Sequence, residues 1–476
     1  MLDAELLPLP DVIQGGMGIA VSTWQLAREV SKSGGLGVVS ATAIDSVIAR
    51  RLQDGDIAGD IRRAFSHFPN PEIATEILNF YFNERGRTPG APYLDVPKLS
   101  VKPSKLTNNL LAISAFTEVW LAKENNSGSV GINLLEKIQL ATPATLYGAM
   151  LADVDFVLMG AGIPSEIPQI LRDLAGGLKV KLAIDVIGEK NKHFLTFDPK
   201  TLLPNAQLLK KPKFLAIISS HALAAYLAKD EKTRPDGFIV EGPSAGGHNA
   251  PPRSKDSVGS DGQSKFSELD DADLAKVAKT GLPFWLAGGY GSSDNLTKAK
   301  ALGAVGIQVG SLFALSDESG FTRAIKDEIL GKLASETMNV TTDAFASPTG
   351  FPFKIVEING TLSDESAFDA RSRNCDLGYL RVPFERAQGG IGYRCPAEPT
   401  RTFEFKGGTG VHNERSKCLC NALMADIGLG QLRADGTTEL PIVTFGSDLA
   451  GATELTKTHP TGWKASEVLE FLHKTN

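Results

Sequence analysis

The chain has 476 residues, 42% of them hydrophobic and 22% charged, with a formal net charge of −6. That is enough chain for a large core, either one barrel with insertions or more than one ordinary domain. Lys and Arg are scattered, which excludes a nucleic-acid-binding face, and no run of about 18 apolar residues exists, so no membrane-spanning helix is expected.

The first residues, Met1 to Glu5, are acidic and lack a basic segment followed by an apolar one, so no signal peptide is expected. Four cysteines in a chain of this length argue against a disulfide scaffold and for a reducing, cytoplasmic setting.

Val12-Ile13-Gln14 reads as a short strand running into Gly15-Gly16-Met17. Residues 22–33 predict a helix with Leu26 and Val30 apolar, ended by Gly34-Gly-Leu-Gly37, and Val38–Ser40 predicts the next strand. Strand, helix and strand within some thirty residues form the minimal parallel unit. Residues 45–110 break this rhythm. Helices are expected over Ile44–Leu52, Ile61–Phe68 and Glu72–Phe82, then a Pro- and Gly-rich loop, together an insertion over one face of the core. Leu110–Ser114 predicts a strand and Thr117–Lys123 a helix.

Regular alternation then returns. Val130–Leu135 predicts a strand carrying the polar Asn133. Thr142-Pro143 predicts a cap and a first-turn proline for a helix ending at Leu151. Phe156–Met159 is a strand ending in Gly160-Ala-Gly162, and Glu166–Leu174 a helix. Val180–Val186 and His193–Phe197 alternate around a polar turn and predict a hairpin, within an insertion at about 175–212. Phe214–Ser219 is a buried strand and Ala222–Ala228 a helix. Gly237–Val240 is the next strand, and it breaks into Glu241-Gly-Pro-Ser-Ala-Gly-Gly-His248. Residues 249–268 are polar and Gly/Ser/Pro-rich, a candidate mobile loop. Asp270–Lys279 is a helix, Phe284–Ala287 a strand ending in Gly288-Gly-Tyr-Gly291, Asn295–Leu302 a helix, and Val305–Val309 a strand ending in Gly310-Ser311.

Eight strands, each followed by helix-like sequence, fit an α/β (β/α)8 TIM barrel, with a doubly wound open sheet as the competing arrangement. The barrel is expected over residues 1–320. Residues 321–476 change character, with helices near 321–336 and 417–425, and are expected to form an additional α+β region packed on the barrel.

In such a barrel the active site lies at the C-terminal ends of the strands. Two glycines before His248 let backbone approach something flat or anionic, and a histidine just past a strand end is well placed to move a proton. The last two strands end in Gly288-Gly289 and Gly310-Ser311, where main-chain N–H groups and the Ser311 hydroxyl suit a cofactor phosphate. Gln14, Met17 and Asn133 would face a flat heterocycle, since amides suit a flavin's polar edge and a thioether its ring.

These stretches resemble the nitronate monooxygenase and flavin-dependent enoyl-ACP reductase superfamily. The resemblance rests on Ile13-Gln-Gly-Gly-Met17, Gly35-Leu-Gly37, Gly131-Ile-Asn133, Glu241 to His248, Ala287-Gly-Gly289, Gln308-Val-Gly-Ser311 and Ser347-Pro-Thr-Gly350. Further segments are similar to a longer branch that includes the enoyl reductases serving polyunsaturated fatty-acid and polyketide synthases in trans. These are Ala49-Arg-Arg-Leu-Gln-Asp-Gly-Asp56, Glu136-Lys-Ile-Gln-Leu140, Leu158 to Pro164, Cys375 to Leu380, Gly392-Tyr-Arg-Cys395 and Cys418-Leu-Cys-Asn421. The resemblance implies FMN held non-covalently by Gln14, Gly15, Gly16, Met17, Asn133, Glu241, Gly246, Gly247, Gly288, Gly289, Gln308, Gly310 and Ser311. It implies His248 as the catalytic proton-transfer residue. Simpler members carry Gln and Glu where this chain has Glu241 and Ser244, and an Arg near Phe351-Pro-Phe353-Lys354. A carboxylate beside a flavin disfavours the anionic reduced ring unless it is paired.

Two chemistries share such a site. In one, NADPH or NADH supplies hydride that reaches Cβ of an α,β-unsaturated thioester, free or bound to an acyl carrier protein, and an acid such as His248 protonates Cα. In the other, an alkyl nitronate is oxidised with O2 and no nicotinamide. A non-enzymatic scaffold would purify colourless. All four cysteines, Cys375, Cys395, Cys418 and Cys420, fall in one short stretch. A zinc or iron–sulfur site and free buried thiols are both compatible with that clustering, and the spacing matches no standard zinc pattern.

Overall fold

Alternation of period two in eight short apolar runs decides where the core lies. The computed structural model describes residues 9–205, 208–409, 412–433 and 435–474. Its first ten strands are β1 (Val12–Gln14), β2 (Gly37–Ser40), β3 (Val130–Leu135), β4 (Phe156–Gly160), β5 (Val180–Ile184), β6 (His193–Phe197), β7 (Lys213–Ile218), β8 (Gly237–Glu241), β9 (Phe284–Ala287) and β10 (Gly306–Val309). Eight of them form one parallel sheet in the order β1-β10-β9-β8-β7-β4-β3-β2. The sheet's two ends meet. Gln14 N–H donates to Leu36 O at 3.0 Å and Leu36 N–H to Val12 O at 2.9 Å, so the ring closes as a (β/α)8 barrel and an open sheet is excluded.

Inside the ring, Ile13, Val38, Phe156, Leu158, Leu215, Ile239, Trp285 and Ala287 pack on one another as a separate apolar cluster. Their neighbours in sequence, such as Val12, Val39, Val157, Phe238, Leu286 and Ile307, join the larger cluster between sheet and helices. Trp285 closes the lower end, its indole N–H donating to Pro10 O at 2.7 Å. The parity also decides the fate of Gln14. It lies out of phase with Ile13, is fully buried, and clasps β1 to β2: its Oε1 accepts from Val38 N–H at 2.9 Å and its Nε2 donates to Ser22 Oγ at 2.8 Å.

The outer helices follow the expected order, with differences that have physical causes. Leu110–Ser114 is not a strand. It sits inside the 19-residue helix Lys105–Lys123, which is buried on nearly all sides, so its apolar run lacks the polar face that marks an amphipathic helix. A side chain on Gly148 would come within 1.9 Å of Ala112 O, so glycine there lets helix Thr142–Leu151 lie directly on the long helix. Thr142 is the first residue of its own helix rather than the cap, because a 3-10 turn over Glu136–Ala141 feeds it. The helix expected over Asp270–Lys279 is shorter, Leu274–Ala278, preceded by a separate turn at Glu268–Asp270. Strands β5 and β6 pair antiparallel as expected.

Beyond the barrel strands, β11 (Val340–Asp343) pairs antiparallel with β12 (Phe353–Val356), and β13 (Val382–Glu385) with β14 (Ile391–Arg394). Arg371 grips Glu439 in two parallel hydrogen bonds of 2.5 and 2.8 Å, joining segments far apart in sequence. The last helix, Ala465–His473, returns to the start of the barrel, where His473 Nε2 lies 3.1 Å from Asp11 Oδ1.

The clasp gives a direct test. Gln14→Leu keeps the volume but leaves Val38 N–H without a partner in a dry place. It should lower stability by about 1–3 kcal/mol in urea unfolding. An unchanged midpoint would show that the clasp is dispensable.

Candidate active site

Because strands are parallel, all eight deliver their C-terminal residues to one end. There they enclose a cavity of about 260 Å³. Gly15, Gly16, Met17, Asn133, Glu241, Gly246, Gly247, His248, Gly288, Gly289, Gln308, Gly310 and Ser311 all line it. Gln14 does not; its amide serves the barrel seam.

Asn133, Glu241 and Gln308 share the inward parity of their strands and stand one layer above the apolar plug. Asn133 Oδ1 and Gln308 Oε1 are buried without hydrogen-bond partners. Two such amides on a cavity wall point to a ligand that donates to them, because an orphaned buried acceptor is costly. Gly288 and Gly289 both have φ of +79°, a left-handed pair that a non-glycine residue would adopt only with strain. Ser311 Oγ accepts from Gly446 N–H at 3.0 Å, which ties the end of β10 to the C-terminal region.

The Glu241–His248 loop is held from the same side. Gly247 N–H donates to Thr444 Oγ1 at 2.7 Å, Lys354 N–H to Gly247 O at 2.9 Å, and Asn249 N–H to Pro352 O at 2.9 Å. His248 Nε2 is 2.7 Å from Ser347 Oγ, and Ser347 Oγ is 2.8 Å from Thr349 Oγ1. The imidazole stands edge-on to the Phe353 ring, centroids 4.9 Å apart. Ser347 is buried and Gly350 exposed, so this chain of hydroxyls leads outward. Ser347-Pro-Thr-Gly350 was legible as a motif, but no local signal tied it to His248.

The cavity suppresses charge. Burial, with Lys137 as a second cause, lowers the His248 pKa to about 4, so the ring is neutral at neutral pH. Burial alone raises Glu241 to about 7, and its carboxyl has no hydrogen-bond partner among the described residues. The acid at this position is therefore substantially protonated near neutrality.

Residues after 320 supply much of the remaining wall. Phe321, Tyr379, Leu380, Leu419, Leu423 and Asp426 all face the cavity. The Tyr379 hydroxyl donates to the Asp45 carboxylate and lies 2.6 Å from Ser46 Oγ. No periodicity near Tyr379 or Asp426 announces these roles. The four cysteines are free thiols. Cys395 and Cys418 pack together, and Cys420 lines the cavity. Burial pushes the Cys420 thiol up to about 12. Among the described residues, no group of three His, Cys, Asp or Glu side chains is arranged to hold a metal ion, so the zinc or iron–sulfur reading finds no ligand set.

The neutral histidine can be tested by its proton linkage. Its folded pKa of about 4 lies below the ordinary 6.5. Between those values the unfolded chain binds the proton and the folded chain does not. This stability is therefore complete above pH 6.5 and is lost as pH falls toward 4. His248→Phe should flatten that part of the acid-unfolding curve. A His248 resonance titrating at its ordinary value in the folded protein would contradict the assignment.

Comparison with known proteins sets this geometry in context. Residues 172–347 match the family model described as nitronate monooxygenase. The chain is 30% identical over 138 residues to the (3aS,4S,5R,7aS)-5-hydroxy-7a-methyl-1-oxo-octahydro-1H-indene-4-carboxyl-CoA dehydrogenase of Rhodococcus jostii, covering 29% of this chain and 35% of that protein. The enzyme of the same name from Mycobacterium tuberculosis is 30% identical over 131 residues, 27% of this chain and 34% of its own length. The chain thus spans about a third of the length of these curated relatives. The solved structure of FabK from Thermotoga maritima superposes with a TM-score of 0.50 at 16% identity, over 97% of this chain and 91% of FabK, a likeness of fold. Residues 172–347, about a third of the chain, are thus similar to the nitronate monooxygenase family, and they belong to a chain folded as a (β/α)8 barrel.

Proposed function

We propose that the protein is an FMN-dependent oxidoreductase that uses NADPH or NADH to reduce an α,β-unsaturated acyl thioester, presented free or on an acyl carrier protein. The observation that carries the flavin is the pair of orphaned amide oxygens, Asn133 Oδ1 and Gln308 Oε1, on a cavity floored by glycine. Their chemistry fits the ring N–H edge of a flavin. Gly246, Gly247 and Gly310 would let the main chain come close to a flat ring, and Met17 would offer it a thioether. Gly288, Gly289 and Ser311 suit its phosphate.

A bound FMN would supply two-electron chemistry, the relay of a hydride from the nicotinamide to Cβ of the substrate. The chain's own part is the proton. His248 Nδ1–H gives its proton to Cα while Nε2 takes one from Ser347 Oγ, Ser347 is reloaded by Thr349, and Thr349 by solvent. This shuttle keeps the ring neutral throughout, which suits a site where burial opposes the imidazolium. Glu241, raised by burial to about 7 and so protonated in a substantial fraction near neutrality, would donate in that form to the flavin edge without placing a full negative charge beside it.

The thioester is favoured by the apolar wall added by Phe321, Leu380, Leu419 and Leu423, more surface than a small nitroalkane needs. The carboxyl-CoA named for both curated relatives supports the same class. The family model favours a second reading, oxidation of an alkyl nitronate with O2. Four free thiols suit a reducing, cytoplasmic setting for either reaction.

Pure protein should be yellow. Under anaerobic conditions NADPH should bleach it and a crotonyl thioester restore the colour. Bleaching by propyl-2-nitronate but not by NADPH would favour the second reading, and a colourless protein that takes up no FMN would remove both. Ser347→Ala should retain the flavin but slow thioester reduction by about 100-fold, the scale of general acid–base assistance. Unchanged turnover would break the proposed shuttle. Asp448 stands exposed beside Gly289. Asp448→Asn removes a like charge near the phosphate and should tighten FMN binding severalfold at low salt, measured by flavin fluorescence. Weaker binding would place the phosphate elsewhere.

A further inference from the structure

One polar group on the cavity wall has no part in the chemistry above. Asp426 follows helix Leu419–Ala425 and has no solvent-exposed surface. Its Oδ1 accepts from Ile442 N–H at 3.1 Å, and its Oδ2 has no partner. No cation pairs with it among the described residues. Its cavity neighbours include Phe321, Leu419 and Leu423, all apolar. A carboxyl in this position is an unusual thing for a fold to retain, since a leucine would fill the space without burying an unpaired oxygen.

We propose that Asp426 binds the substrate, donating its Oδ2 hydrogen to an oxygen of the ligand, the thioester carbonyl in the reading above. Three features support this. The residue borders the same cavity as His248 and Glu241. Its Oδ1 is already an acceptor, so the acid proton resides on Oδ2, the oxygen left without a partner. Burial raises its pKa far above the ordinary carboxylate range, and the helix C-terminus beside it further disfavours an anion. A neutral carboxylic acid in an apolar wall is a strong hydrogen-bond donor. Donated to a carbonyl oxygen, it stabilises the negative charge that gathers there as hydride arrives at Cβ. Asp426 neither gains nor loses its proton in this role.

This inference rests on the cavity being a substrate site, and its test separates it from the choice of reaction. Asp426→Asn keeps both an acceptor for Ile442 and a donor. Asp426→Leu removes both. Binding is read on the oxidised, FMN-loaded protein by the change in flavin absorbance on adding a crotonyl thioester or propyl-2-nitronate, with no turnover required. Asp426→Leu should keep its flavin, bind the ligand at least tenfold more weakly, and lose about 100-fold in kcat/KM. Asp426→Asn should recover most of both. Wild type that binds the thioester without reducing it would sink the proposed reaction and leave this test intact. The inference is overturned if Asp426→Leu binds as wild type does, if Asp426→Asn is as impaired as Asp426→Leu, or if wild type binds neither ligand. Should Asp426→Leu lose its flavin, the Asn variant decides by the same two measurements: wild-type values support the donor role, and a tenfold loss overturns it.

Discussion

Closure of the parallel ring at the β1–β2 seam is the constraint on which the rest of the molecule depends. Once the last gap is bridged by Gln14 and Leu36, every strand has a fixed inside and a fixed outside. Asn133, Glu241 and Gln308 must then point inward, at one level, above a plug of Ile239, Phe156 and Trp285. A slip of one residue in any of these strands would turn its polar group outward into the packed layer under the helices. The buried seam amide and the cavity amides therefore have one origin: the first is out of phase with the core and the others are in phase with it.

The second organising feature is the segment after residue 320. It does more than cover the barrel mouth. Thr444, Pro352 and Lys354 fix the backbone of the Glu241–His248 loop, and Ser347 fixes the imidazole. The same segment adds the apolar side chains of Phe321, Leu380, Leu419 and Leu423 to the wall of the mouth. Burial is the leading cause of the shifts at Glu241, His248 and Asp426, and in each it favours the neutral form. At these three positions the site therefore offers hydrogen bonds rather than fixed charges. Under the proposed reading, that would suit transfer of a hydride and a proton to an uncharged acyl group, in which charge builds transiently on one oxygen.

Asp45 and Tyr379 extend the same principle. The barrel side contributes the carboxyl after β2, the C-terminal side contributes the phenol, and burial raises the carboxyl to about 6. Polar groups from two distant parts of the chain meet at the wall, each satisfied by the other and not by solvent. The cysteines converge on the same region, but as thiols in apolar surroundings.

Much of this was legible in the amino-acid sequence alone. Eight apolar runs, their glycine-rich ends and the hairpin at β5 and β6 follow from local periodicity, which one strand or turn carries by itself. The residues at those ends, from Gly15 to Ser311, were legible as a group for the same reason, since parallel strands bring their C-terminal ends together. The helix over Leu110–Ser114 was not, because a helix buried on all sides has no polar stripe to set its period. The expectation that Gln14 faces a flat heterocycle gives way to its place in the seam, because its parity is fixed only once the ring closes. The roles of Ser347, Tyr379 and Asp426 belong to tertiary structure alone. Each depends on a partner about a hundred or more residues away or on the loss of water, and neither burial nor long-range contact is written into any local stretch of chain.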